Sequence, residues 1–320
     1  LPICGGGGGF SNNNYAGASG GSGIVVLRIP TVYYSGIVTG SPLVYTVGTN
    51  TIVKYTNSGT YNASLSSFFN FNLIISSDTT NFNLRTSAIT AGWNTTTPLN
   101  ATITINSGVY LGSTNVANAA FTVGSLPATS VVTVANSGYI LGIGGAAGNG
   151  YSNGPGSDGG SGGNALNIGY ATTIYNYGTI AGGGGGGAGG GGFQNGEGNY
   201  TISGGAGGGG QGYQGGSAGY YYPLYTLSNG HYSQVYGNAG TKTGSGSGIT
   251  GEGPPNGSYA TSGSGGSGGA LGQPGVNGGN ATGSAVSLQS GGTGGAAGKC
   301  AVGNSYINWQ VNGTRLGSLV

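Results

Sequence analysis

The side chains able to act as acids, bases or soft metal ligands are few in this chain: Asp78, Asp158, Glu197, Glu252, His231, Cys4 and Cys300. Glycoside hydrolysis needs two carboxylates facing each other across the scissile bond, and four acids strewn between 78 and 252 offer that only by an accident of folding. A Ser-His-Asp site would have to use His231, yet SNGHY at 228–232 reads as an exposed turn with a solvated histidine. TGGAAGKC at 293–300 has the outline of a phosphate-binding loop but lacks Gly at its first position and Ser or Thr at its last. One histidine and two distant cysteines make no zinc spacing. No catalytic site, metal or cofactor is therefore expected.

Aromatic recognition is the chemistry the chain does offer, with 22 tyrosines. Tyr213, then Tyr220, Tyr221, Tyr222 and Tyr225, then His231, Tyr232 and Tyr236 fall between glycine tracts. Tyrosine joins a large apolar ring to a hydroxyl at low rotamer cost, which suits a binding loop. The same rings would also suit strands packed on a glycine scaffold, and both readings stay open. Phe193 and Tyr200 bracket a second candidate loop, FQNGEGNY at 193–200, and residues 151–158 form a third.

The elements that must carry these loops are unusual. Of 320 residues 80 are glycine and 10 are charged, against a common charged share of about a quarter. Disorder usually combines high net charge with few aromatics, whereas this chain has a formal charge of +2 and 36% hydrophobic residues, so an ordered fold is expected. The glycines come in runs without a three-residue Gly-X-Y period, which excludes collagen. Six Lys and Arg spread singly make no basic stripe for nucleic acid. No 18-residue apolar run is present to insert in a membrane. Cys4 and Cys300 permit either a disulfide between the chain ends or two unpaired thiols. The chain starts at Leu1 and has no Met, which reads as a processed or partial chain.

Alternation of apolar with Thr or Ser predicts strands at 23–30, 43–47, 51–55, 101–105 and 131–134, divided by turns such as NSG at 57–59 and 106–108. The dense apolar stretch at 65–75 reads as core. From 141 onward glycine tracts dominate, interrupted by one or two strands at 165–180 and closed by a strand and turn at 306–317. The expected fold is all-β plus a polyglycine II helix bundle, with essentially no α-helix. Three parts are expected: 1–30 as the end of a preceding glycine-rich module with one strand, 31–140 as a β-rich domain, and 141–320 as the glycine-rich domain with aromatic loops. A polyglycine run can form a left-handed threefold helix with no internal hydrogen bonds, and without Cβ atoms such helices can pack closely enough to bond one another.

AGWNTTTPLN at 91–100, INSGVY at 105–110, NSGYILG at 136–142, YGTIAGG at 177–183 and GKCAVGNSYINWQVNGTRLG at 298–317 together resemble glycine-rich phage tail fibre proteins. GSGIVVLRIP at 21–30 and TIVKYTNSGTY at 51–61 look like the end and start of related glycine-rich tail domains. The glycine region also looks like a phage tip adhesin in which polyglycine helices form a sandwich. The resemblance implies a virion tail fibre component, homotrimeric and joined to other tail proteins, that binds a host surface protein or glycan. The alternative is a self-assembling filament or sheath protein of an extracellular or cell surface.

Overall fold

The computed structural model describes residues 2–3, 23–31, 34–62, 68–194, 201–223, 227–228, 231–252 and 260–320, with backbone alone at 2–3, 227–228 and 231–232. The chain divides into two compact units, Leu1–Phe68 and Phe69–Val320.

The first unit is a four-stranded antiparallel sheet. Its strands are β1 (Pro2–Ile3), β2 (Ile24–Pro30), β3 (Leu43–Val47) and β4 (Asn50–Tyr55), in the spatial order β1-β2-β4-β3. Alternation along β4 buries Thr51, Val53 and Tyr55 on one face. The β3–β4 hairpin turns on Gly48, whose φ of +58° is the left-handed conformation that such a two-residue turn requires.

The second unit is built on parallel strands that wind through three sheets, coil upon coil. The first coil contributes β5 (Phe69–Ile75), β6 (Thr79–Thr80) and β7 (Phe82–Asn83), followed by α1 (Leu84–Thr90). The second contributes β8 (Leu99–Ile105), β9 (Tyr110–Gly112) and β10 (Phe121–Val123). The third contributes β11 (Val131–Asn136), β12 (Tyr139–Leu141) and β13 (Leu166–Ile168). The fourth contributes β14 (Thr172–Asn176), β15 (Thr179–Ala181) and the strand Ala301–Val302. Strands Ile307–Val311 and Thr314–Leu316 complete the stack.

Every step of this stack is a parallel pairing, so like positions fall above one another. Leu73, Ile103, Val134, Ile174 and Trp309 form one inward column, with Ile103, Val134 and Ile174 fully buried between partly buried ends. Each fully buried aliphatic side chain stabilises by about 1.5–3 kcal/mol relative to exposure. At the corner of the coil, buried Asn136 donates to Asn176 Oδ1 at 2.8 Å, and Asn176 donates to the carbonyls of Asn312 and Thr314. A buried amide satisfied in this way fixes the register of successive coils. Cys300 is a free, fully buried thiol in the same core, where it donates to Ile180 O at 3.4 Å and burial pushes it up to about 11. Cys4 lies outside the described residues.

Two excursions leave this stack, at 142–165 and 182–300, and both are made of glycine runs. The central run, 182–192, shows how they are held. Gly183, Gly186, Gly189 and Gly192 donate to the carbonyls of residues 163, 160, 157 and 154. Gly184, Gly187 and Gly190 donate to those of 211, 208 and 205, and Gly185, Ala188 and Gly191 to those of 273, 276 and 279. Its own carbonyls accept from 145–148, from 263–272 and from 289–298. Each neighbour is thus met every third residue, and six segments surround the run.

Close approach leaves no room for side chains: a Cβ on Gly186 would lie 1.8 Å from Ala146 O, and on Gly183 1.8 Å from Ile143 O. The all-β expectation holds, with α1 the α-helix among the described residues and 3-10 backbone at Thr31 and Asn304–Tyr306. Gly186→Ala is expected to destabilise the second unit by about 3 kcal/mol or more through overpacking against backbone. Gly244→Ala, at a turn with nothing within 4 Å of the added methyl, is expected to be neutral. Thermal unfolding of the two variants distinguishes these outcomes.

Candidate functional site

The direction of each glycine run decides where its loop emerges. Run 142–150 leaves β12, and 156–163 returns to β13 with antiparallel bonds to 183–192. Run 182–192 leaves β15, and 204–210 returns against it. The pairings of 216–219 with 207–210, of 237–240 with 216–219, of 246–252 with 203–209, of 263–272 with 182–191, and of 275–278 with 292–295 extend the alternation. The described residues of five loops, 151–155, 193–194 with 201–203, 220–223 with 231–236, 251–252 with 260–262, and 280–290, therefore gather at the end of the bundle remote from the stacked coils. The turns at 212–215, 241–244 and 270–274 lie at the near end.

Buried Ser203 knits the remote loops together. Its Oγ lies 2.5 Å from Ser152 Oγ and donates to Tyr222 O at 2.7 Å, while its carbonyl accepts Glu252 N–H. Gln194 accepts from Asn153 through its side chain, a second tie to the 151–155 loop, and from Val286 through its carbonyl, which ties in the loop at 280–290. The amide of Tyr220 is held by Asn149 Oδ1 at 3.0 Å.

Tyr220–Tyr221 pairs antiparallel with Val235–Tyr236, which brings Tyr220, Tyr222 and Tyr236 together. The Tyr220 ring meets Tyr222 edge-on at 5.6 Å and Tyr236 at 6.1 Å between centroids. Gln234 donates to the Tyr222 hydroxyl and accepts from that of Tyr236, so both phenols are oriented by one amide. Tyr222 and Tyr236 remain 46% and 55% exposed, and Tyr151, Val286 and Leu288 are exposed at the same end.

The other aromatics selected from sequence are placed differently. Tyr221 is buried, and burial followed by the charge of Glu252 pushes its hydroxyl up. Phe193 is fully buried among Ile202, Ala260 and Ala281 and presents no surface to a ligand; it anchors its loop by apolar packing. Tyr200 and Tyr225 lie outside the described residues, and His231 and Tyr232 are described by backbone alone, paired with Ser228 and Leu227.

Tyr213 is not brought to this end at all. It sits at the near end on Gly112, where a Cβ would lie 1.9 Å from its Cγ. Lys242 Nζ is 4.5 Å from the centroids of both Tyr213 and Tyr110, and 3.0 Å from Asp78 Oδ2. Tyr110 in turn stacks on Tyr139 at 4.5 Å. This latch fastens the 241–244 turn to the stacked coils.

Sequence reasoning missed Gln234, the latch and the loop at 280–290, whose signal was the break NATGSAVSLQ at 280–289 inside a tract read as continuous glycine. Among the described residues no group of three or more His, Cys, Asp or Glu converges to hold a metal, and no helix is long and apolar enough to cross a membrane.

The charge-poor β scaffold gathers the described parts of its irregular loops at one end. The family model of the phage tail fibre adhesin Gp38 matches residues 70–320, and the chain belongs to that family. No curated protein matches. Among solved structures, the gp37-gp38 adhesin tip complex of the bacteriophage S16 long tail fiber is 22% identical, covering 78% of this chain and 82% of that one at a TM-score of 0.41. So distant a likeness supports no residue-level transfer.

The latch gives a pH signature. Asp78 lies below the ordinary carboxylate range because it accepts the Tyr110 amide and, against some burial, the Lys242 ammonium. A depressed folded-state value means that this contribution is complete above about pH 4 and is lost as pH falls through the folded value. Because Lys242 and Asp78 are 37% and 44% exposed, the ion pair contributes only about 0–1 kcal/mol. Asp78→Asn is expected to flatten the acid limb of the stability–pH curve by lowering stability at neutral pH by at most about 1 kcal/mol while leaving it unchanged in acid, as read by urea unfolding at a series of pH values.

Proposed function

We propose that the chain is the host-recognition part of a phage tail fibre, and that the five loops at the remote end of the glycine bundle, led by Tyr222 and Tyr236, contact the host surface. The tail fibre adhesin family supplies the role, and the observation that carries the assignment to this end is the pair of exposed rings oriented by Gln234. Anchored aromatics lose little entropy on binding and are favoured as energetic centres of interfaces. The ligand class is a host surface protein or glycan, bound by ring stacking and hydrogen bonds. Half-buried Glu252 is the charged residue described in these loops, so adsorption is expected to depend weakly on salt.

We also infer that each glycine run is a left-handed threefold helix. Support comes from the repeat of three in the bonds of 182–192, which matches the three residues per turn of such a helix. A bundle of this kind lets loops of any length emerge without altering the backbone lattice beneath them. The free-filament alternative has no comparable support.

Tyr222→Ala and Tyr236→Ala are each expected to weaken adsorption to host cells at least about tenfold, or about 1.4 kcal/mol, with unfolding temperature unchanged. Tyr213→Ala, at the near end, is expected to lower stability and spare adsorption. Undiminished adsorption by folded Tyr222 and Tyr236 variants would refute the loop assignment.

A further inference from the structure

The face of the first sheet that carries buried Val53 and Tyr55 is covered by the chain's own return, and the cover leaves a cavity. Val25 of β2 stands opposite Tyr55 of β4, and Leu27 opposite Val53, so all four side chains share that face. Beyond β4 the chain turns back over the Tyr55 ring. Gly59 passes so near that a Cβ there would lie 2.5 Å from Tyr55 Cε1, and the Tyr55 hydroxyl donates to Thr60 O at 2.6 Å. Segments 37–39 and 60–62 then pair antiparallel: Thr39 N–H donates to Thr60 O, Asn62 N–H donates to Ile37 O, and the Thr39 and Thr60 hydroxyls lie 2.7 Å apart. Tyr34 braces Tyr61, their rings parallel within 5° and 6.0 Å apart between centroids.

The cavity left against β2 measures about 450 Å³, within the range of about 300–1,000 Å³ of small-molecule sites. Val25 and Leu27 give it an apolar lining, Tyr55 and Tyr61 an aromatic one, and exposed Asn57 and Ser58 a polar margin. A carboxamide and a hydroxyl each both donate and accept. No charged residue is among the described residues that line it.

That composition selects a ligand. A pyranose carries weakly positive C–H groups on its faces, which the negative face of a tyrosine ring attracts, and hydroxyls around its edge that suit a carboxamide and a serine. A purely apolar ligand would leave the polar margin unused, and an acidic one would bring a charge for which the cavity has no partner.

We propose that this cavity binds one neutral sugar residue of a surface glycan, so that the chain carries a saccharide site in its first unit besides the loops of the second. The first unit lies outside residues 70–320, the part that the adhesin family model matches.

Saturation-transfer NMR on the whole chain tests this with D-glucose, D-galactose, N-acetyl-D-glucosamine and D-glucuronate as probes. Transfer is expected to at least one of the three neutral sugars, strongest at the C–H protons of its ring, and not to glucuronate. Asn57→Ala, at an exposed position, is expected to weaken that sugar about three- to tenfold with unfolding unchanged. Val25→Phe, which fills the cavity from β2, is expected to abolish transfer, and Asn57→Ala decides the matter if that variant fails to fold. Tyr222→Ala is expected to bind the sugar as the wild type does, which separates this site from the remote loops. The proposal would be overturned by no transfer to any neutral sugar, by equal transfer to glucuronate, by undiminished binding in Asn57→Ala or in folded Val25→Phe, or by loss of binding in Tyr222→Ala.

Discussion

A peptide group removed from water must be hydrogen-bonded, and everything distinctive in this adhesin follows from meeting that rule without side chains. Glycine gives up more backbone entropy on folding than any other residue and contributes no apolar surface. Its compensation here is contact between backbones: the run 183–192 passes its amides to three neighbours and takes bonds from three more. The lattice tolerates no Cβ at Gly183 or Gly186, so composition and packing determine each other.

The stacked coils supply what the glycine bundle lacks, an apolar core and a fixed starting register. Ala181 O accepts Gly142 N–H, and Leu316 O accepts Gly182 N–H, so the bonding of the coils passes directly into that of the runs. The asparagine pair at the coil corner and the Lys242 latch then hold the near end in place. A base held at every run leaves the remote end as the place where irregular sequence can be inserted. Ser203 and Gln194 convert five separate insertions into one surface.

Strand positions were legible because alternation records which side of a strand faces a core: the expected segments at 43–47, 101–105 and 131–134 fall within β3, β8 and β11. Their partners were not legible, since period-two alternation is the same in a hairpin and in a parallel coil. The pairing of Ile307–Val311 with β14 spans an insertion of more than a hundred residues that no local pattern reveals. Helix α1, LRTSAIT, is a single short segment rich in β-branched residues and rests on its Asn83 cap and on burial of Leu84 and Ala88. Among the aromatics, an interruption of glycine marks a loop or a turn but not which end of the bundle it occupies, nor which face a ring takes. Tyr222, Phe193 and Tyr213 therefore look alike in sequence and end up exposed, buried and latched to the coils.

Amide hydrogen exchange across 182–192 tests the central claim most directly. If the run is bonded to six neighbours, all its amides are protected together and exchange only with global unfolding of the second unit. Rapid exchange, or protection restricted to one residue in two as at a solvent-facing strand, would contradict the account.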